Sequence, residues 1–333
     1  MGLICFLPLF ELRMPSPEKP TLIVTIPAYN EEATIRTVIE SVPKKMEGIG
    51  KISILVIDDG STDSTATEAL AAKATVISNH GNRGLAYSFS RGMETALEMG
   101  ADIIVNTDAD NQYDQSQIPA LIRPILEKGA DMVLGSRFKG TIESMPLTKR
   151  WGNKLASFIL KQNTGLDISD GQTGFRAFTR EVALRLNVLS KFTYTQETII
   201  DAVDKGLRVT EIPCTFRKRA DKSRLFNGIV DYALRAVHTI IVGNLKLRPM
   251  STFGGVGILV IVAGILIGWP VILSFLATGR IGDAYLMRAI VTGILFIVGI
   301  EIAALGLIAA LLKQNRQLIE KHLYETKKMR FSK

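Results

Sequence analysis

Short apolar runs rich in β-branched residues alternate, along residues 21–213, with segments whose apolar residues recur every three or four positions. The runs predict strands at 21–26, 51–57, 74–78, 101–106 and 130–135. The segments between them predict helices at 32–42, 64–73, 85–99 and 115–128. Such alternation is typical of parallel strands joined by crossover helices. The strands are apolar on both faces, so we expect an α/β fold whose mostly parallel sheet is covered by helices on both sides.

Three of the predicted strands end in polar clusters. PAYNEE follows the first strand, DDGSTDST the second and TDADNQ the fourth. Ligands of parallel α/β sheets bind beyond the carboxyl ends of the strands. We therefore interpret the three clusters as parts of one site.

The last third of the chain has a different pattern. Residues 253–277 carry no charge, and residues 289–312 are interrupted only by Glu301. At about 1.5 Å per residue, a helix of either segment exceeds the roughly 30 Å hydrocarbon core of a bilayer. The polar link TGRIGD, at 278–283, joins them. We expect a transmembrane hairpin with both ends on one side; two buried core helices are the alternative.

Charge gives this hairpin an orientation. The chain has a formal net charge of +8. Basic residues flank the outer ends of the hairpin: Lys246, Arg248, Lys313, Arg316, Lys321, Lys327, Lys328, Arg330 and Lys333. The positive-inside rule then predicts a two-span protein of the cell membrane whose large domain and C-terminus are cytoplasmic. With Cys5 and Cys214 as the only cysteines, no disulfide framework is expected, which suits a reducing cytoplasm.

Residues 224–249, before the hairpin, predict an amphipathic helix with apolar residues on one face and polar residues on the other. Its position beside a span favours the membrane interface, and a helix packed on the domain is the alternative. The pattern divides the chain into an N-terminal extension (1–20), a sheet domain (21–223), an interfacial helix (224–249), a hairpin (250–313) and a basic cytoplasmic tail (314–333).

The acidic cluster after the fourth strand suggests a metal site. Asp108 and Asp110 are one residue apart, so both carboxylates point to the same side if the loop stays extended. With no cysteine or histidine beside them, a hard cation such as Mg²⁺ or Mn²⁺ is expected, with Gln112 as a further oxygen ligand. Mg²⁺ often shares its coordination with substrate phosphates, which implies a diphosphate substrate. The alternative is a loop whose aspartates cap turns, above all Asp114 at the next helix.

Six motifs, in this order, resemble those of family 2 glycosyltransferases: IPAYNEEATI (26–35), VIDDGSTDST (56–65), NRGLAYSFSRGMETA (82–96), TDADNQ (107–112), GSRF (135–138) and GQTGFRAF (171–178). Residues 21–249 are similar in particular to dolichyl-phosphate and polyprenyl-phosphate hexose synthases. The resemblance implies a GT-A domain followed by C-terminal membrane helices. It also implies a divalent metal, a UDP- or GDP-hexose donor and a polyprenyl phosphate acceptor, with no nucleic acid and with possible homo-oligomers.

The resemblance carries roles over to matching positions of the donor site. Pro27, Tyr29, Glu31, Asp58 and Asp59 are expected to hold the nucleoside, with Asp58 or Asp59 on the base. Asp58 has the alternative of capping Ser61–Thr62. Asp108 and Asp110 match the D-x-D pair at the metal, with Gln112 beside it.

Further matches concern the acceptor and the reaction. Arg137 and Arg150 align with arginines near the acceptor phosphate, while Arg176 has a structural alternative. The basic loop 216–226 departs from the family pattern, with Asp221 where a glycine is usual. The phosphate is therefore assigned to a set within it, Arg217, Arg219, Ser223 and Arg224, of which Ser223 and Arg224 fit the pattern better and Lys218 stays open beside the two arginines. A solvated run of charges is the alternative. Asp110, Arg137 and Glu197 are expected to take part in catalysis, Glu197 by touching the sugar or by holding helix geometry.

A lipid phosphate is already anionic near neutral pH and needs no general base, so direct displacement with inversion at the anomeric carbon is expected. Two other classes of protein remain alternatives. A processive polysaccharide synthase is one, but LTKRW (147–151) lacks the glutamine of the Q-x-x-R-W motif. A non-catalytic, membrane-anchored interaction protein is the other.

Overall fold

The structure is a computed structural model that describes residues 19–143, 147–188, 194–217 and 249–332. A seven-stranded sheet forms the centre of the large domain, in the order β3-β2-β1-β4-β6-β5-β7. The strands are β1 (Thr21–Ala28), β2 (Lys51–Asp58), β3 (Thr75–Ser78), β4 (Ile103–Asn106), β5 (Met132–Ser136), β6 (Arg176–Thr179) and β7 (Val209–Pro213). All neighbouring strands are parallel except where β6 pairs antiparallel with β4 and β5.

Helices cover both faces of this sheet. They are α1 (Ile35–Ser41), α2 (Thr65–Ala71), α3 (Leu85–Glu98), α4 (Ile118–Lys128), α5 (Leu147–Thr164), α6 (Arg180–Arg185) and α7 (Thr195–Asp204), with a short 3₁₀ turn at Gln115–Gln117. Strand β1 shows why two cores form. Leu22 and Val24 pack into one hydrophobic cluster, whereas Ile23 packs into the other, because successive side chains of a strand point to opposite faces.

The predicted α/β architecture is confirmed, and each of the five predicted strands is present within a few residues of its expected bounds. Strands β6 and β7 were not predicted. Both are short, and the charged residues Arg176 and Glu211 interrupt their apolar pattern.

Two long apolar helices follow, α8 (Pro249–Thr278) and α9 (Asp283–Arg330), each long and apolar enough to cross a membrane. They pack against each other through small residues. A Cβ on Gly257 would lie 2.6 Å from the carbonyl oxygen of Gly299, and one on Gly268 would lie 2.7 Å from Thr292. Most of their other apolar side chains are exposed, as expected of a membrane-associated protein rather than of core helices.

Helix α9 continues without a break past the predicted end of the hairpin at residue 313. Its last turns pack against the large domain, a contact that the charge pattern had not predicted. The N-terminal extension up to residue 18 and most of the predicted interfacial helix lie outside the described residues.

Candidate active site

The acidic loop, which we define as residues 107–114, lies at the carboxyl end of β4, as predicted. Asp108 and Asp110 are both half-buried. Gly174, in the loop before β6, lies directly against Asp108: a Cβ at Gly174 would be 2.6 Å and 2.8 Å from the two carboxylate oxygens. Any larger residue there would force the Asp108 side chain to move, so Gly174 links the GQTGFRAF motif physically to the D-x-D pair.

The acidic loop does not stay extended. Ala109 and Asp110 form a turn, Asn111 has a left-handed backbone with φ 56°, and the Gln112 amide donates to Asp110 Oδ1 at 3.2 Å. Asparagine tolerates this conformation better than most residues. The turn, and not the alternation of a strand, thus sets the directions of the two carboxylates.

The oxygen-rich composition of this loop fits a hard divalent cation. Three buried side-chain oxygens have no hydrogen-bond partner: Thr107 Oγ1, Asn111 Oδ1 and Gln115 Oε1. Buried polar atoms are normally satisfied, so these oxygens are available to water or to a cation. Among the described residues no group of three or more His, Cys, Asp or Glu side chains forms a metal cluster. A site here would combine two carboxylates with neutral oxygens and substrate phosphate, as Mg²⁺ accepts.

Two buried tyrosines support the loop. The Tyr113 hydroxyl accepts from the Gly174 amide at 3.0 Å, and the Tyr194 hydroxyl accepts from Asn106 Nδ2 at 2.9 Å. Burial, together with the negative charge of Asp108, raises the pKa of Tyr113 and of Tyr194. Both phenols therefore stay neutral and leave the carboxylates as the negative charge of the site.

The predicted nucleoside residues lie at the ends of the two neighbouring strands β1 and β2. Pro27 is buried in β1, opposite Ile57 of β2, and Tyr29 is 37% exposed. Glu31 accepts from the Thr34 hydroxyl at 3.3 Å, and the Thr34 hydroxyl also donates to Ala109 O at 2.7 Å. This contact joins the first polar cluster to the acidic loop, as expected of parts of one site.

Asp58 and Asp59 are both buried but hold different segments. Asp58 Oδ1 accepts from the Ser61 amide at 3.0 Å, the capping contact that was the alternative for one of the pair. Asp59 accepts from Asn79 Nδ2 at 2.7 Å and from the Gly84 amide at 2.8 Å, so it fixes the loop before α3. The capping alternative is therefore confirmed for Asp58, and both carboxylate oxygens of Asp59 accept hydrogen bonds from the protein.

Arg137 is buried in an ion pair. Its Nε donates to Asp170 Oδ2 at 2.6 Å and its Nη2 to Asp170 Oδ1 at 2.8 Å. Burial alone would lower the pKa of Arg137, but the charge of Asp170 and its hydrogen bonds to the guanidinium favour the charged form, and the pKa is raised. Glu211 of β7 accepts from the Ser169 and Asp170 amides, at 2.9 Å each, and from Lys139 Nζ at 3.0 Å. Arg137 thus belongs to a buried network that fixes loop 165–174.

Arg176 is fully buried and donates to neutral backbone oxygens. These contacts agree with the structural role that was the alternative for this residue. It donates to Thr173 O at 2.7 Å, to Thr195 O at 2.7 Å and to Gly171 O at 3.1 Å. Burial lowers the pKa of Arg176 to about 10. The residue therefore ties β6 to the first turn of α7, which carries Glu197.

Arg217 and Arg150, the other described residues predicted to bind the acceptor phosphate, lie on different elements. Arg217 forms an ion pair with Asp114 at 3.0 Å, and its amide donates to Gln112 O at 2.7 Å. This brings Arg217, the first basic residue of the loop 216–226, against the acidic loop. Arg150 is exposed on α5, and Glu197 is half-buried in α7. Arg219, Ser223 and Arg224 lie outside the described residues.

Sequence reasoning missed several residues that shape this site: Asp170, Glu211, Tyr113, Tyr194 and Gly174. Asp170 directly precedes the GQTGFRAF motif, and Glu211 is a charge within an otherwise apolar strand. A charged residue that becomes buried needs a partner, so the sequence indicates that these two carboxylates need one but does not identify it. Their partners are 33 and 42 residues away, beyond what a local pattern predicts.

Comparisons with known proteins agree on one family. The model for glycosyl transferase family 2 matches residues 23–186. An uncharacterized protein of Methanocaldococcus jannaschii is 34% identical over 200 residues, covering 59% of this chain and 81% of that protein. A UDP-N-acetylglucosamine–dolichyl-phosphate N-acetylglucosaminyltransferase of Methanococcus voltae is 32% identical over 217 residues, covering 58% and 84%.

A solved structure shows the same fold. Glucosyl-3-phosphoglycerate synthase from Mycobacterium tuberculosis, in complex with Mn²⁺, UDP and phosphoglyceric acid, superposes with a TM-score of 0.52 at 23% identity. The match covers 68% of this chain and 78% of that protein.

Proposed function

Because the chain belongs to glycosyl transferase family 2, we propose that it transfers a hexose from a nucleotide-diphosphate sugar to a polyprenyl phosphate in the membrane. One observation carries this proposal: a domain with an acidic, oxygen-rich loop at its strand ends is joined to two long apolar helices with exposed surfaces. The names of several relatives support the acceptor class, among them a polyprenol monophosphomannose synthase of Mycolicibacterium smegmatis, 29% identical over 219 residues.

The donor binds along the ends of β1, β2 and β4. Asp108 and Asp110, with the oxygens of Asn111 or Gln112, would hold a divalent cation, Mg²⁺ or Mn²⁺. When bound, the cation supplies positive charge that stabilises the nucleoside diphosphate as it leaves. Asp58 accepts hydrogen bonds from the base, and Tyr29 packs beside the nucleoside. The structural neighbour was solved with UDP and Mn²⁺, which supports a nucleotide donor and a divalent cation.

The acceptor approaches from the side of Arg217 and Arg150. Arg217 already lies against the acidic loop through Asp114. Beside Arg150, α5 exposes Trp151, Leu155 and Phe158, an apolar surface that suits a prenyl chain or lipid. Arg137 is buried and supports the site from the interior of the domain, because its Nε and Nη2 both donate to Asp170.

The reaction needs positioning more than proton transfer. An oxygen of the lipid phosphate attacks the anomeric carbon, the bond from that carbon to the donor phosphate breaks, and the configuration inverts. The phosphate is anionic, so no group must remove a proton from it. Arginines offset its repulsion with the donor diphosphate. Glu197 contacts the sugar from the first turn of α7.

We place α8 and α9 as two spans, with the large domain and C-terminus in the cytoplasm. The basic residues that follow residue 312 support this orientation. The polyprenyl phosphate then stays in the leaflet nearest the domain.

A donor panel tests the proposal. UDP-glucose, UDP-N-acetylglucosamine and GDP-mannose, labelled in the sugar, are incubated with the reconstituted protein, undecaprenyl phosphate and Mg²⁺ or Mn²⁺. Transfer of label to lipid is expected with one donor, and Asp110→Asn should abolish it. Asp167→Asn, which removes an exposed surface carboxylate, is the matched control and should be active. Label in polymer or free sugar, with none in lipid, would reject the acceptor.

A further inference from the structure

The last part of α9 is a cytoplasmic strut, which we define as residues 313–331. It leaves the apolar span and lies against α7 through ion pairs. Lys313 Nζ lies 2.8 Å from Asp204 Oδ1, and Arg316 Nη2 lies 3.6 Å from Asp201 Oδ1. Glu320, one turn further, lies 3.2 Å from Lys205 Nζ. The strut therefore contacts the last turn of α7 through three successive charged side chains.

The far end of the strut is anchored in the large domain. Tyr324 donates to both carboxylate oxygens of Glu181, at 3.1 Å and 3.2 Å. Lys327 Nζ donates to Leu186 O at 3.1 Å. Phe331 is buried within the hydrophobic cluster that contains α3 and α6, and its carbonyl accepts from Arg180. These contacts fix the strut over its whole length, about 27 Å for its 18 helical residues.

Helix α7 connects this strut to the candidate active site. Its last turn contacts the strut, and its first turn carries Glu197 and holds Arg176 through Thr195 and Thr198. Because α9 is one uninterrupted helix from Asp283 to Arg330, the span and the strut have a common axis. The direction in which α9 leaves the bilayer thus determines how α7 and the acidic edge are placed relative to the lipid.

We propose that the strut sets the height and tilt of the candidate active site above the membrane, with Lys313, Arg316 and Glu320 as positioning residues. This inference rests on the proposed function in its choice of acceptor. The strut determines where the large domain stands relative to a substrate that stays in the bilayer. It does not contribute to binding of the donor or to the chemistry of transfer.

A comparison of two acceptors separates presentation from folding. The variant Lys313→Asp/Arg316→Asp places negative charge against Asp204 and Asp201. Protein reconstituted in vesicles of phosphatidylethanolamine and phosphatidylglycerol is assayed with undecaprenyl phosphate, which stays in the bilayer, and with citronellyl phosphate, which dissolves in water. We expect kcat/KM to fall roughly tenfold for the bilayer acceptor, through a lower effective concentration, and less than about twofold for the soluble one.

Two further variants complete this experiment. Lys321→Asp makes the same kind of charge change at an exposed position of the strut that has no ion pair in the described part of the chain, and it should behave as the parent. Adding Asp204→Lys to Lys313→Asp/Arg316→Asp restores attraction and should recover much of the lost activity. Equal losses with both acceptors, or no loss with either, would overturn the inference.

A measurement without activity distinguishes failure of the strut from failure of the proposed function. A donor dye is attached at Lys44→Cys, an exposed position, in a Cys5→Ser background, and acceptor dyes are placed in the vesicle surface. Energy transfer should change for Lys313→Asp/Arg316→Asp and stay at the parental value for Lys321→Asp. An unchanged signal in the first variant would reject the strut. A parent that labels neither acceptor would reject the proposed function alone.

Discussion

The acidic loop after β4 and the strut contact on α7 are both charged regions of one domain, yet their polar atoms are satisfied differently. At the strut, Lys313, Arg316 and Glu320 each have an oppositely charged partner on α7. In the acidic loop, buried oxygens of Thr107, Asn111 and Gln115 have no hydrogen-bond partner. Paired charges hold a structure together, whereas unpartnered buried oxygens next to two carboxylates are available to a cation or to water. We therefore interpret the strut contact as structural and the acidic loop as the candidate binding site.

The largest effect is expected from removing the divalent cation that we propose for the acidic loop. Chelation of divalent ions should reduce sugar transfer by roughly 10²–10³-fold, as loss of electrostatic stabilisation does in other enzymes. Asp108→Asn should give a similar loss in the presence of Mg²⁺ or Mn²⁺. Transfer of labelled sugar measures both effects.

The strut provides the contrast for this first prediction. The melting temperature of the protein, followed by tryptophan fluorescence, should change little on chelation, because the strut contacts need no metal. Full activity after exhaustive chelation would mean that the acidic loop is not a metal site.

Arg137 tests whether a charged residue near the acidic loop belongs to the scaffold. Arg137→Met leaves the fully buried Asp170 carboxylate without its partner, and breaking such a pair costs about 3–5 kcal/mol. The melting temperature should fall markedly, whereas Arg137→Met/Asp170→Leu should recover part of the loss. A parental melting temperature for Arg137→Met, with raised KM for the lipid acceptor, would return Arg137 to the phosphate-binding role predicted from the sequence.

Gly174 tests how closely the acidic loop is positioned by its neighbours. In Gly174→Ala the new Cβ would lie within 2.8 Å of both Asp108 carboxylate oxygens, so Asp108 must rotate. Support of this kind is typically worth 10–100-fold in metal affinity. We expect UDP binding in the presence of Mn²⁺, measured by calorimetry, to weaken by roughly tenfold or more.

Gly92→Ala serves as the matched control for Gly174→Ala. Its Cβ would make only ordinary contacts, at 3.4 Å and beyond, inside helix α3. It should therefore bind UDP and Mn²⁺ as the parent does. Equal binding by Gly174→Ala and the parent would show that Asp108 is not a ligand.

The same contrast explains how much of this structure a sequence pattern predicts. The five strands and the polar clusters at their ends follow from local apolar runs and from the geometry of parallel sheets. The Arg137–Asp170 pair and the contact of Gly174 with Asp108 join residues far apart in the chain, so local periodicity contains no signal for them. The strut was interpreted as a basic tail because the positive-inside rule accounts for its charges without any contact to the domain.

The smallest predicted effect concerns pH at the strut. Burial alone would raise the pKa of Glu320, but Lys205 and Arg316 outweigh it, so the folded pKa is lowered from the ordinary value of 4.5. A carboxyl group with a lowered folded pKa contributes stability above its unfolded pKa and loses it as pH falls through the folded one. The strut contact should therefore weaken below about pH 4.5, by no more than about 1 kcal/mol, since the ion pairs are close to the surface.

Hydrogen exchange at the C-terminal half of α7 measures this weakening, with rates corrected for the intrinsic effect of pH. Protection of residues 201–205 should decrease between about pH 5 and pH 3 in the parent, and protection of β1 should not. Glu320→Gln should start with lower protection at neutral pH and show a smaller decrease. If both proteins lose protection equally, the contribution assigned to Glu320 is wrong.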